Sequence, residues 1–302
     1  MTLLRKPSHD PHERFDALLE RGGPCVVPGV HSPLVGLQAK RAGFQCVYLS
    51  GAAFSASMGL PDIGLFTLSE LCEGVRQLRR ICDLPVIVDA DTGFGEAIQV
   101  ARSLRELEAA GATAVQIEDQ ESPKRCGHLQ GKRLIPPEAM AEKIAAAAAV
   151  RHRTRIVART DARAVEGLDG AIARARAYRE AGADIIFPEA LESEAEFDAF
   201  AGAVAGYKLA NMTEFGRSPN LSAARLSELG YHLVIFPVSA LRVASFAVER
   251  FFDDLKREGR QHDWLERMMT RADLYRLLDY DDYEGFDQDV HRQIRGLPKG
   301  QG

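Results

Sequence analysis

The chain has 302 residues, room for two average domains or for one (β/α)8 core, and its 38 basic and 43 acidic side chains are dispersed to a formal charge of −5. That dispersal leaves no basic stripe for nucleic acid and no polybasic membrane anchor, so the expected partners are small molecules. Residues 1–20 hold Arg5, Lys6, Asp10, Glu13, Arg14 and Asp16 with no apolar run, and no later stretch is apolar enough for a bilayer; neither secretion nor membrane insertion is expected, and a cytoplasmic location is.

In chain order, eight short apolar runs rich in Val and Ile mark strands at residues 25–30, 46–50, 85–89, 114–118, 155–159, 184–188, 207–211 and 232–237. They are too continuous for half-exposed strands and suit a parallel sheet covered on both faces. Helical patterns lie between them, the clearest placing Ala97, Val100, Ala101, Leu104 and Leu107 on one face. Gly43, Gly111, Gly182 and Gly230 each close a helix before the second, fourth, sixth and eighth strands, a weak internal repeat suited to the left-handed C-terminal cap. Eight strands with helical crossovers favour a closed TIM-type barrel over an open doubly wound sheet, and no Gly-x-Gly-x-x-Gly fingerprint follows the first strand.

No linker-like composition divides the sequence, which reads as one domain over residues 1–302. After the eighth strand comes more helix than a barrel needs. It is expected over about 241–275, followed by an acidic aromatic stretch at 280–289, with the C-terminal helical extension covering about 241–290 in all. A polar tail follows from about 291, and residues 296–302 are expected to be disordered.

Barrel sites form where strands end at the C-terminal face, and here those ends are polar: Ser50-Gly51, Asp89-Ala90-Asp91, Glu118-Asp119, Arg159-Thr160-Asp161, Glu189, Asn211 to Glu214 and Ser239 to Arg242. Asp89 and Asp91, two apart on extended backbone, face one side and with Glu118 concentrate negative charge that needs a cation. Oxygen-only ligands suit magnesium. The competing structural reading has Asp91 capping the next helix and Asp89 paired with Arg159. Arg159, Arg242 and Arg271 are candidate forks for a di- or tricarboxylate, Arg159 foremost, while an arginine such as Arg271 in a C-terminal helix ordinarily lies on a solvated face.

Four of the five cysteines, Cys25, Cys46, Cys72 and Cys82, sit among apolar neighbours and read as core. Cys126 does not. In Lys124-Arg125-Cys126-Gly127-His128 it is flanked by cations, which lower a thiol from its free pKa of about 8.5 and suit it to proton transfer. His128 either binds substrate or anchors this loop.

Together Tyr48-Leu49-Ser50-Gly51, Val88-Asp89-Ala90-Asp91, Gln116-Ile117-Glu118-Asp119, the Lys124 to His128 loop, Ala158-Arg159-Thr160-Asp161-Ala162, Phe187-Pro188-Glu189-Ala190 and the run from Ala210 to Gly216 resemble the isocitrate lyase and phosphoenolpyruvate mutase superfamily, most closely its 2-methylisocitrate lyase branch. The resemblance implies a magnesium-dependent carbon–carbon lyase that splits 2-methylisocitrate into pyruvate and succinate, in propionate breakdown by the methylcitrate cycle. It implies that Ser50, Gly51 and Ala52 hold the keto-acid carboxylate, that Asp89 and Asp91 serve magnesium with Glu118 assisting through water, and that Cys126 is the acid. Gly127, His128, Arg159, Glu189, Asn211, Thr213, Arg242 and Arg271 are implied to contact substrate, with Tyr48 and Asp62 in support. Tyr48 and a metal-linked carboxylate both stand as the initial base. A homotetramer with an exchanged C-terminal helix is also implied, which accounts for the surplus after the eighth strand.

Two positions depart from the branch. Ala52 and Ala53 stand where many of its members carry further glycine, and Leu129-Gln130-Gly131-Lys132 resembles isocitrate lyase wording. Reaction class is therefore implied more firmly than substrate. The alternatives are 2,3-dimethylmalate lyase, isocitrate lyase and oxaloacetate decarboxylase within the superfamily, and a non-catalytic dicarboxylate-binding barrel outside it, which has no use for Cys126.

Overall fold

The structure, a computed structural model, describes residues 10–295; the expected disordered tail at 296–302 lies outside them. Helix α1 (Pro11–Glu20) leads into β1 (Cys25–Val30), α2 (Pro33–Arg41), β2 (Val47–Leu49), α3 (Gly51–Ser57) and α4 (Leu68–Ile81). There follow β3 (Val86–Asp89), α5 (Ala97–Ala110), β4 (Ala114–Glu118), α6 (Pro137–Val150), β5 (Arg155–Thr160) and α7 (Arg163–Glu180). The barrel is completed by β6 (Ile185–Pro188), α8 (Glu194–Ala203), β7 (Tyr207–Asn211), α9 (Ala223–Glu228) and β8 (Leu233–Phe236). All eight strands pair in parallel in sequence order, and β8 closes on β1 with Cys25 opposite Leu233 and Pro28 opposite Phe236. This is the closed TIM-type barrel that the apolar runs predict. The strands are slightly shorter than those runs: Pro85, without an N–H, stays outside β3 and only accepts a bond from Val47 N at 3.0 Å.

Period-two alternation sorts each strand into two cores. Tyr48, Ile87, Val157, Phe187, Leu209 and Ile235 fill the interior, while Val47, Leu49, Val86, Val88 and Ile156 pack outward against the helices. Each fully buried Leu, Ile or Phe side chain contributes about 1.5–3 kcal/mol. The interior is sealed at its lower end by α1, whose Phe15, Leu18 and Leu19 join the same cluster as Cys25 and Leu233 at strand starts. Polar ties hold that helix in place: Arg14 Nη1 donates to Asp83 O at 3.2 Å, and Arg155 Nε donates to Asp16 Oδ1 at 3.0 Å.

The four expected helix-ending glycines all have positive φ. At Gly111, φ of 105° and a Cβ position 2.9 Å from Arg79 Cγ leave glycine as the residue that fits. Thr67 and Glu70 form a reciprocal capping box that starts α4.

Beyond β8 the expected helical extension is broken into pieces and runs a few residues past 290. Helix α10 (Ser239–Glu258) stops at Gly259, where φ is 65°; a 3-10 turn (His262–Arg267) and α11 (Arg271–Leu277) follow. The supposed acidic stretch and the start of the polar tail form one more helix, α12 (Tyr280–Arg295). Phe286, Val290 and Ile294 recur every four residues along it, a stripe that the surrounding acids obscure. Among the described residues no helix is long and apolar enough to cross a membrane.

Candidate active site

At the C-terminal rim a cleft of about 540 Å³ is lined by Tyr48, Ser50, Ala52, Asp62, Asp89, Lys124, Cys126, Gly127, His128, Arg159, Glu189, Asn211, Thr213 and Arg242, with Phe187, Ile235, Pro237 and Val238 as apolar wall. Strand ends supply Ser50, Asp89, Arg159, Glu189 and Asn211, while Lys124 to His128 come from the connection after β4, Asp62 from that between α3 and α4, and Arg242 from the start of the helix after β8, residues 239–258. Of the other residues singled out from sequence, Gly51, Asp91 and Glu118 are buried beside this surface. Arg271 is apart from it. It is exposed at the start of α11, a helix tied to α2 by a bond from Arg41 Nη1 to Asp273 O at 3.5 Å.

Asp89 is held on three sides. Its Oδ2 accepts from Gly51 N at 3.0 Å, and its Oδ1 accepts from Gln116 Nε2 at 2.9 Å and from Asp91 N at 3.2 Å. The Gly51 amide is thus committed to Asp89, which leaves Ser50 and Ala52 to face the cleft. A Cβ on Gly51 would lie 2.9 Å from Asp91 Oδ1 and 3.2 Å from Asp89 Oδ2, so glycine is what lets both carboxylates approach one point. Neither part of the competing structural reading holds: the cap of α5 is Glu96, and Arg159 pairs with other carboxylates.

Asp91 lies 2.9 Å from Lys124 Nζ, and the same ammonium is ion-paired with Asp62. Burial nevertheless pushes Asp91 up to about 7, with Lys124 opposing and Asp89 adding to the rise. Glu118 is raised well above the carboxylate range by burial, which outweighs Arg159 and Lys124. Asp91 Oδ1 and both oxygens of Glu118 lack an aligned hydrogen bond despite their ion-pair contacts. These oxygens are short of positive charge. An oxygen-only set with two carboxylates in front and one behind fits magnesium, which keeps several waters and takes one or two carboxylates directly. Among the described residues no three of His, Cys, Asp and Glu gather closely enough to hold an ion.

Arg159 is not the free fork expected from its position. Its Nε and Nη2 grip Asp161 at 3.0 and 3.1 Å, its Nη1 lies 3.2 Å from Glu118, and its Nη2 lies 3.3 Å from Glu189. The guanidinium carbon sits 5.3 Å from the Phe187 ring centre. Arg159 therefore enters the cleft as a charge fixed by three carboxylates. Glu189 also faces His128 Nε2 at 3.1 Å and Asn211 Nδ2 at 3.3 Å. Burial works to raise Glu189, but Arg159 and His128 hold it well below the usual range. Arg242 binds Glu214 Oε2 at 2.7 Å and lies 5.4 Å from the Phe215 ring centre.

His128 lines the cleft, and its Nδ1 accepts from Arg217 N at 3.0 Å, which anchors the loop. Cys126 is half-buried, and its carbonyl accepts from Leu129 N at 2.9 Å. The flanking cations have other partners, Lys124 in Asp62 and Asp91 and Arg125 in the Gln130 carbonyl at 3.4 Å. A Cβ on Gly127 would lie 2.4 Å from both Arg159 Nη2 and Glu189 Cγ, so the loop backbone rests directly on those groups.

Tyr48 donates to Gln116 Oε1 at 2.7 Å, and burial, with Asp89 adding, raises its phenol well above the usual value. It is a neutral donor here, and the role of initial base does not fit it. Sequence reasoning assigned no part to Gln116 or Lys132, gave Lys124 only to the charge around the thiol, and gave Asp161 no role beyond its place at a polar strand end. Gln116 was within reach, since it shares a strand face with Glu118 two residues on.

A closed parallel barrel with a thiol, a fixed arginine and clustered carboxylates at its C-terminal rim defines a (β/α)8-barrel enzyme. The chain is 51% identical over 295 residues to 2-methylisocitrate lyase of Aeropyrum pernix, covering 98% of this chain and 96% of that one. Its fold matches crystalline 2,3-dimethylmalate lyase with a TM-score of 0.88 at 34% identity, covering 97% and 100% of the two chains. It also matches phosphonopyruvate hydrolase solved with oxalate and Mg++, with a TM-score of 0.82 at 29% identity, covering 95% and 99%. The family described as phosphoenolpyruvate phosphomutase matches residues 15–256; the chain belongs to it, and is a carbon–carbon lyase of the isocitrate lyase and phosphoenolpyruvate mutase superfamily.

Proposed function

We propose that this lyase cleaves 2-methylisocitrate to pyruvate and succinate, the propionate-breakdown step of the methylcitrate cycle, with magnesium as its metal. The observation that carries this reading is the Cys126 thiol lining the same cleft as Arg159 and Asp89. Asp89 and Asp91 would hold magnesium, with Glu118 behind, and the bound ion supplies positive charge where negative charge develops on oxygen. Arg159 and Arg242 present fixed cationic charge to the carboxylates of the acid, and Ser50 and Ala52 face the keto-acid end. The hydroxyl of the acid gives its proton to a carboxylate at the metal end and becomes the carbonyl of pyruvate as the carbon–carbon bond breaks, and the bond's electron pair leaves with the other fragment as a carbanion conjugated with its carboxylate. Cys126 delivers a proton to that carbon as general acid. The small Ala52 side chain in the cleft wall leaves space for the methyl group that distinguishes this substrate from isocitrate.

The test is to supply 2-methylisocitrate, isocitrate, 2,3-dimethylmalate and oxaloacetate separately, with magnesium and with a chelator, and to follow pyruvate or glyoxylate. 2-Methylisocitrate should be turned over fastest and only with the metal, with kcat/KM for isocitrate lower by about ten- to two-hundredfold, the worth of one methyl contact. Faster turnover of isocitrate overturns the substrate assignment. Binding of every acid without turnover points instead to a sensor barrel.

We infer that the protein assembles as a homotetramer with an exchanged C-terminal helix. Within one chain α10 buries none of its residues, and Val243, Phe246, Phe252, Phe286 and Ile294 are exposed along α10 and α12. Apolar surface of this extent marks a contact region. Sedimentation equilibrium is expected to return a tetramer mass; a single-chain mass at micromolar concentration contradicts the assembly.

A further inference from the structure

Residues 119–136 connect β4 to α6 and carry Cys126. Three residues past the Cys126 turn, this connection dips inward at Lys132, whose side chain is 1% exposed. Its ammonium donates to Asp161 Oδ1 at 2.8 Å and to the Gly127 carbonyl. A buried lysine is costly unless its charge is paired and its protons are bonded, so the arrangement has a specific purpose to explain.

Asp161 is the common member. The oxygen that accepts from Lys132 also accepts from Arg159 Nη2 at 3.1 Å, while the other accepts from Arg159 Nε at 3.0 Å. Asp161 is braced from behind: its amide donates to Asp119 Oδ1 at 2.9 Å, and Asp119 Oδ2 in turn accepts from Thr160 Oγ1 and Tyr178 OH, both at 2.8 Å. One buried carboxylate therefore aims the arginine of the cleft and, through Lys132, fixes the carbonyl of the residue next to the thiol.

We propose that Lys132 is a positioning residue of the lyase, which sets the Cys126 segment in register with Arg159 by bridging the Gly127 carbonyl to Asp161. This rests on the reading of Cys126 as proton donor. Lys132 is not itself among the residues that line the cleft; it acts through the peptide of Gly127, which lies against Arg159 and Glu189. A misplaced donor slows proton delivery and leaves the binding groups where they were.

The experiment compares the full-length native protein with Lys132→Met, reading steady-state kinetics and the rate at which iodoacetamide labels Cys126, located by peptide mass spectrometry. The other four cysteines are buried, which favours labelling at Cys126. Loss of the tether should lower kcat by about ten- to a hundredfold, with KM changed by less than about threefold, as expected for a charged hydrogen bond that acts on the chemical step. Labelling of Cys126 should be about tenfold faster as the segment loosens. A lysine needed only for stability would lower the melting temperature and leave both readouts alone; kcat and labelling within about twofold of native in a folded variant overturn the proposal. Should Lys132→Met fail to fold, the same readouts on Lys132→Gln decide, with native values again overturning it. Labelling needs no substrate, so if the native protein cleaves none of the four acids the functional reading falls while the tether is still judged by labelling alone.

Discussion

Replacing Cys126 by serine is expected to lower kcat by about a hundred- to ten-thousandfold, the usual worth of a general acid, while succinate affinity stays within about threefold of native. Serine fits the half-buried position and keeps a hydroxyl in the cleft, but a hydroxyl gives up its proton far less readily than a thiol of pKa about 8.5. The binding groups are untouched, because Lys124 and Arg159 take their partners from carboxylates and not from the sulfur. Steady-state kinetics with calorimetric titration of succinate separates the two effects. Near-native turnover in that variant refutes the acid role.

Arg159→Leu is expected to damage the fold as well as the reaction. Glu118, Asp161 and Glu189 are almost fully buried and share this one guanidinium. Removing one partner of a buried pair costs about 3–5 kcal/mol because uncompensated charge stays behind. In a chain of this size that is a fall in Tm of roughly 5–15 °C at pH 7. The sign of the pH dependence follows from Asp161 and Glu189, both lowered from ordinary values of 3.8 and 4.5 because Arg159, with Lys132 and His128, overcomes the effect of burial. A lowered carboxylate contributes stability above its unfolded pKa and loses it as pH falls through its folded value. The difference between native and variant should therefore be full at neutral pH and narrow below about pH 4. Calorimetric melts at both pH values test this, and an unchanged Tm at pH 7 contradicts the shared-cation role.

Much of the barrel was legible because strands covered on both faces must be apolar throughout, and such runs are hard to mistake when glycine-capped helices separate them. The rim was legible for the complementary reason: a polar residue directly after a buried run has nowhere to go but the strand end. What escaped was partnership. Lys132 and Asp161 are 29 residues apart and Lys124 and Asp62 are 62 apart, and the path of a long connection, not any periodicity, brings them together. Arg159 looked like a free fork because its own strand gives no hint that Glu118 and Glu189 arrive beside it from β4 and β6. The end of α12 beyond about residue 290 was read as polar tail because composition was weighed there instead of spacing.

The plug formed by α1 has a bearing on how the enzyme empties. Phe15, Leu18 and Leu19, packed into the lower end of the barrel, close the strand-start side among the described residues. Fragments of a cleaved acid are therefore expected to leave on the strand-end side, where Cys126 lines the cleft.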